Sequence, residues 1–137
     1  RQPMQTPPFF SIVIPVFNEV ENIEPMVREI QAAFQGRTEP YEVIFVDDAS
    51  SDDSPAVLQR LTLETGGVVR SLRHRRNFGQ SAAVATGFRA ARGEWIGTLT
   101  ARFNAEGRIL TFDGETVALT EEYGDDPEMA KFVASIK

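Results

Sequence analysis

The sequence predicts an α/β fold: the parallel βαβαβαβ half of a sheet, completed by a C-terminal antiparallel hairpin and helix. Three observations predict it. Short, nearly continuous apolar runs rich in β-branched residues recur from Phe9 to Thr100, the pattern of strands buried on both faces. Between these runs apolar residues repeat at helical spacing, and glycines supply stops. Beyond residue 103 the pattern changes to two short apolar or alternating segments either side of Asp113-Gly114, a strong short-range hairpin signal.

The elements follow in order. FFSIVIPVF (Phe9–Phe17) is the first buried strand. Asn18 follows as a candidate helix cap, and Ile23, Met26, Val27, Ile30 and Phe34 line one helix face up to a stop at Gly36. Pro25 is expected in the first turn, where its missing N–H is tolerated. YEVIFVDD (Tyr41–Asp48) is the second strand, and after the polar loop ASSDDSP a helix starts at Ser54-Pro55, with Val57, Leu58 and Leu61 as its apolar face. GVVRSLRH (Gly67–His74) is the third strand. NFGQSAAVATGFRAARG (Asn77–Gly93) is a small-residue helix packing through Ala83, Val84, Gly87 and Phe88. EWIGTLT (Glu94–Thr100) is the fourth strand, with a polar turn after it.

RILTF (Arg108–Phe112) and ETVALT (Glu115–Thr120) are the expected hairpin arms. Asp126-Pro127 opens a last helix with Met129, Phe132, Val133 and Ile136 on one face. Residues 1–8 read as a disordered lead-in, 9–102 as the parallel half-domain, and 103–137 as the hairpin and helix that pair its open edge and cover its apolar face. The crossovers are right-handed by rule, and such sheets bind ligands at the carboxyl ends of their strands. A site is therefore expected among Phe17–Glu19, Asp47–Asp53, Arg73–Gly79 and Thr100–Asn104.

Composition narrows the chemistry. The 137 residues suit one domain with a single core. There is no cysteine, which excludes disulfides, thiolate catalysis and cysteine zinc sites, and one histidine, His74, cannot make a multi-histidine metal centre. A net charge of -6 argues against general nucleic-acid binding. No apolar run approaches the ~18 residues needed for a membrane span, and no segment has the order of a signal peptide.

Three clusters are candidates for chemistry. VDDASSDD (Val46–Asp53) crowds four carboxylates directly after a buried strand, which is costly unless a cation, hydrogen-bond donors or water satisfies them. The loop is read either as a ribose, base or metal site or as a polar loop capping the next helix. PVFNE (Pro15–Glu19) holds a ladder-ending proline and an acid near a helix N-terminus, where it is stabilised without any ligand. RSLRHRRNFG (Arg70–Gly79) concentrates arginines before a helix N-terminus, which suits a diphosphate or an anionic lipid head, or else a solvated edge.

Taken together, FSIVIPVFNEVENI, YEVIFVDDASSDDS and LRHRRNFGQSAAVATGFRAARGEWIGTL resemble, in order and spacing from Phe9 to Leu99, the family 2 glycosyltransferases of the GT-A, Rossmann-like fold. The branch they resemble is the polyprenyl-phosphate mannosyl- or glucosyltransferases. The resemblance implies that Pro15, Phe17, Asn18 and Glu19 line a nucleotide pocket. It implies that Val46 and Asp48 contact base or ribose with Asp47 as support, and that Asn77 and Gly79 shape the floor near the phosphates. It also implies a nucleoside-diphosphate sugar as donor, Mg2+ or Mn2+ as cofactor, and a lipid-phosphate acceptor at the cytoplasmic face of a membrane.

The sequence departs from the family at one place. The fourth strand should end in Asp-x-Asp, and Thr100 and Arg102 stand at those acid positions. A hydroxyl and a guanidinium cannot replace two carboxylates around a hard dication, so no metal is expected. The family's acceptor-side segment finds no match after Asn104, and no catalytic residue is assigned. Three readings follow: a catalytically incomplete nucleotide-sugar-binding half-domain, from a truncated or fused chain; an active metal-independent transferase in which Arg102 neutralises the diphosphate; or an assembly module without ligand. Incompletely covered edges also predict a homodimer or strand swap.

Overall fold

The computed structural model describes residues 7–103 and 109–118. Its elements are β1 (Phe10–Val16), α1 (Val20–Phe34), β2 (Tyr41–Asp47), α2 (Ser54–Glu64), β3 (Val69–Arg73), α3 (Gln80–Ala90), β4 (Trp95–Phe103) and β5 (Ile109–Ala118). The strands lie in the order β3-β2-β1-β4-β5. The first four are mutually parallel, and β5 runs antiparallel to β4. The predicted α/β class and parallel βαβαβαβ order are both found.

Strand alternation sends side chains to two helical layers. On one face Ile12, Ile14 and Phe45 pack against Ile23, Ile30 and Leu58 of α1 and α2. On the other, Val13, Ile44 and Ile96 pack with Ala83 of α3. Each such fully buried aliphatic side chain stabilises the fold by about 1.5–3 kcal/mol. Since α1 and α2 carry the chain from β1 outward to β3 over one face, α3 must return over the other to reach β4. The chain therefore leaves β1 over one face and enters β4 from the other, and the gap between the carboxyl ends of these two strands is the topological switch point.

The far, amino end of the sheet is tied by a buried carboxylate. Glu42 accepts Ser11 Oγ at 2.6 Å, the Arg92 N–H at 2.8 Å and the guanidinium groups of Arg70 and Arg92. Arg70 also donates to Ala90 C=O, and Gly93 N–H to Ser11 Oγ, so the chain leaving α3 is pinned under β1 and β2.

Several expectations need correcting. Asp113-Gly114 forms no turn, because β5 passes straight through it, with Leu99 opposite Gly114 and Thr100 opposite Asp113. Pairing along a ten-residue strand overrides a two-residue turn preference. The antiparallel partner of the open β4 edge is thus one long strand, β5, rather than a separate hairpin. No polar turn follows Thr100, since β4 runs on through Phe103. The small-residue helix starts at Gln80 rather than Asn77, because Gly79 takes φ +100 and breaks the helical path. Pro25 lies in the second turn of α1, where it removes the donor to Glu21 C=O. Pro8, assigned to the lead-in, is buried beside the point where Phe9 N–H donates to Pro40 C=O. The remaining lead-in residues 1–6 and the helix expected after Asp126-Pro127 lie outside the described residues.

Candidate functional site

Pro15 shapes the crevice. Backbone groups along β1 alternate between its two neighbours, and the alternation starts from Phe9 C=O, just before the strand, which faces β4 and accepts Trp95 N–H. The even-numbered residues face β2, as Val16 C=O does in accepting Asp48 N–H. Position 15 thus faces β4, and proline has no N–H to offer there. The β1–β4 register ends at Val13–Thr98, while the β1–β2 register continues through Pro15–Val46 to Val16–Asp47. Pro15 thus ends the ladder to β4, as expected, while β1 itself continues to Val16 beside β2.

Two loops at the crevice are knitted together. Asn18 adopts φ +51 and caps no helix. Its side-chain oxygen instead accepts Ser51 N–H at 2.8 Å and Asp52 N–H at 3.3 Å, while its own N–H donates to Ser50 Oγ at 2.9 Å. The cap of α1 comes from the other loop: Asp52 accepts Val20 N–H on one oxygen and Ser54 N–H on the other. One carboxylate thereby serves the N-termini of α1 and α2. Burial works to raise its pKa, but the donors from Ser54 and Val20 outweigh this and hold it below the ordinary carboxylate range.

The paired acids at the end of β2 are also engaged. Asp47 accepts Ser50 N–H at 2.9 Å and an Arg73 guanidinium N–H at 3.1 Å, and Arg73 reaches Ser50 C=O as well. Asp48 accepts Phe78 N–H at 2.9 Å, Gly79 N–H at 2.8 Å and the His74 ring at 2.8 Å. Its burial acts to raise its pKa; the Phe78, His74 and Gly79 donors reverse that and leave it lowered. The crowded carboxylates of VDDASSDD are therefore satisfied largely by protein donors. Among the described residues no group of three or more acids and histidines could hold a metal ion.

The other expected site residues divide by exposure. Phe17 is 45% exposed at the crevice mouth. Glu19 is half-buried, and desolvation followed by the nearby Asp52 charge raises its carboxyl pKa against an opposing hydrogen bond from Asn22. Val46 is fully buried in the α3-side layer, so its side chain offers a ligand nothing. Asn77 is exposed, and Gly79 forms the N-cap of α3. Phe78, 52% exposed beneath the Arg76 guanidinium at 4.8 Å, was not singled out from sequence. Nor was Thr86, which meets His74 at 2.8 Å; His74 itself was named only as too solitary for a multi-histidine metal centre. Their contacts join positions 12 and 26 residues apart, which no local pattern reveals. A hollow of about 530 Å3 lies between α2 and the outer edge of β3, bordered at one end by Asp47 and Arg73.

An open α/β sheet with polar loops gathered at its switch point defines a domain of the doubly wound class, an architecture that binds ligands at such crevices. Solved structures of this architecture include the mannosyltransferase PcManGT of Pyrobaculum calidifontis, in complex with GDP-Man and Mn2+. It is 24% identical with a TM-score of 0.52, over 67% of this chain and 27% of that one. S. aureus TarS in complex with UDP-GlcNAc is 20% identical with a TM-score of 0.53, over 66% of this chain and 27% of that one. At these identities the likeness establishes the fold, an α/β sheet of GT-A type.

The family follows from sequence: residues 11–101 match the model of glycosyl transferase family 2, and the chain belongs to that family. Similar curated proteins include undecaprenyl-phosphate 4-deoxy-4-formamido-L-arabinose transferases. That of Serratia proteamaculans is 40% identical over 66% of this chain, and that of Pseudomonas fluorescens is 42% identical over the same share. The chain spans little more than a quarter of their lengths, 28% and 27%.

Proposed function

We propose that this chain forms a nucleoside-diphosphate-sugar-binding half of a family 2 glycosyltransferase and is catalytically incomplete. Pro15, Phe17 and Glu19 line the base side of the crevice, with Asn18 and Asp47 holding its loops. Asp48, together with the backbone at Val46, borders the base and ribose. Asn77 and Gly79 floor the diphosphate at the N-terminus of α3, where the helix dipole favours anions. The observation carrying the reading is the crevice opened by Pro15 at the switch point, within a stretch matched by the family model. A polyprenyl-phosphate acceptor is part of the same reading, by similarity to the curated undecaprenyl-phosphate transferases; action at the cytoplasmic face of a membrane is proposed with it. No helix among the described residues is long and apolar enough to cross a membrane. A second copy would add at a sheet edge that is unpaired among the described residues.

The reading includes no divalent cation. Thr100 and Arg102 replace the acid pair, and the carboxylates of Asp47, Asp48 and Asp52 are taken by protein donors. Calorimetric titration with UDP, GDP and their sugars, with Mn2+ and with EDTA, tests this. Binding insensitive to EDTA, without sugar release, is expected; binding that requires Mn2+ overturns the metal-free reading. Sugar transfer or release lost in Arg102→Ala would instead establish a metal-independent transferase. Absence of binding under every condition would favour an assembly module.

A further inference from the structure

His74 stands in the middle of a chain of contacts that ends at the crevice. Asp48, once ionised, can only accept, so the Nδ1–H of His74 donates to its Oδ1 at 2.8 Å. The other ring nitrogen lies 2.8 Å from Thr86 Oγ, two turns into α3. Thr86 is in turn anchored to Ala82 C=O at 3.0 Å and receives Arg89. Asp48 spends its remaining acceptor capacity on Phe78 N–H and Gly79 N–H, the last two residues before α3. The Phe78 ring meets the His74 ring edge-on at 5.4 Å between centroids. The imidazole therefore braces the Asp48 rotamer from the side of α3, and Asp48 fixes the Phe78–Gly79 turn.

We propose that His74 is a positioning residue. Through Asp48 it locks the β3–α3 turn, so that the N-terminus of α3 and the exposed Asn77 are held ready for the diphosphate of a nucleotide donor. Free of the brace, the Asp48 carboxylate can rotate toward water, and the two turn amides lose their shared acceptor. The link to a ligand rests on the donor-crevice reading above; the brace itself does not.

Two measurements on His74→Ala, His74→Asn and Thr86→Val separate the possibilities. The first is amide exchange at Phe78 and Gly79, referenced to core amides such as Ile44. The second is affinity for UDP and GDP by calorimetry. Asparagine places a donor nitrogen where Nδ1 stood, so it should restore what alanine loses; valine at 86 keeps the shape and removes the oxygen. Loss of a charge-assisted hydrogen bond should speed Phe78 and Gly79 exchange about tenfold in His74→Ala, with unchanged exchange at Ile44. Nucleotide affinity should fall by about the same factor, with substantial recovery of both in His74→Asn. Should His74→Ala fail to fold, Thr86→Val gives the same readouts, with a smaller increase expected. Unchanged exchange at Phe78 and Gly79 overturns the brace. Faster exchange with unchanged affinity overturns its link to the ligand. If the unsubstituted chain binds neither nucleotide, the donor-crevice reading falls, and the brace is decided by the exchange rates alone.

Discussion

Gly87 in α3 packs so closely on Val13 in β1 that a β-carbon built on the glycine would lie 2.2 Å from Val13 Cγ1. Val13 is fully buried in the central strand and, being β-branched, has no flexible end to move aside. Gly87→Ala should therefore destabilise the fold by about 1–3 kcal/mol, although alanine is the better helix former by about 1 kcal/mol. Urea unfolding measures this. Paired with Val13→Ala the two losses should be less than additive, since the smaller strand residue makes room; strict additivity would mean the contact is not the cause.

Asp52 holds the first turns of two helices with two oxygens. Asp52→Ala should cost about 1–2 kcal/mol, the usual scale for a lost N-cap. Asp52→Asn keeps one acceptor oxygen and should recover part of the loss. Equal stability of all three proteins in thermal or chemical unfolding would refute the shared cap.

The pH dependence of stability has two opposed contributions. Asp48, Asp52 and Glu42 have folded-state pKa values below their ordinary ones: burial pushes each upward, and hydrogen bonds and arginine charges more than offset it. Their stabilisation is complete above the unfolded-chain values near 4 and is lost as pH falls through the lower folded values. Glu19 is raised, so its contribution is complete below its unfolded value and is lost as pH rises through the folded one. Acidification should thus unfold the chain steeply below about pH 4, whereas Glu19→Gln should be more stable than the natural sequence at pH 7 and no different at pH 3. Chemical unfolding from pH 3 to pH 7 tests both; a Glu19→Gln protein less stable at pH 7 contradicts the second.

Pro15→Ala supplies an amide donor on the β4 side of β1, just beyond the last paired position Val13–Thr98. A slowly exchanging amide should appear at position 15, and affinity for UDP or GDP should drop. Net stability should change by less than about 1 kcal/mol, because the new hydrogen bond is offset by the greater freedom of the unfolded chain. A freely exchanging amide at position 15 would show that the strands part for another reason.

Thr100→Asp with Arg102→Asp returns two carboxylates two positions apart on β4. If the missing acids are what excludes a cation, the doubly substituted chain should bind UDP or GDP more tightly with Mn2+ than with EDTA, while the natural sequence shows no difference. A metal effect absent from both proteins would place the obstacle in the occupied carboxylates of Asp47, Asp48 and Asp52.

The parallel order of the first four strands was legible in the residues themselves. Continuous apolar runs such as Tyr41–Asp47 can only be strands covered on both faces, and the 3.6-residue spacing of Ile23, Met26, Val27, Ile30 and Phe34 can only serve a helix lying on them. The same periodicities placed the loops of PVFNE, VDDASSDD and RHRRNFG at one edge of the sheet. Their chemistry was not legible, because a carboxylate's partner is chosen in space. Asp48 took its donors from Phe78 and Gly79, 30 and 31 residues away, and Asn18 gave up capping its own helix for Ser51.

The tertiary structure alone decided that Asp113-Gly114 lies within a strand, since a local turn preference of two residues yields to a ladder of hydrogen bonds along β4. It alone decided that His74 faces both Asp48 and Thr86. Period and composition are properties of a segment and determine elements. Hydrogen-bond partnership depends on which segments the crossovers bring side by side, and that is settled only once the sheet has formed.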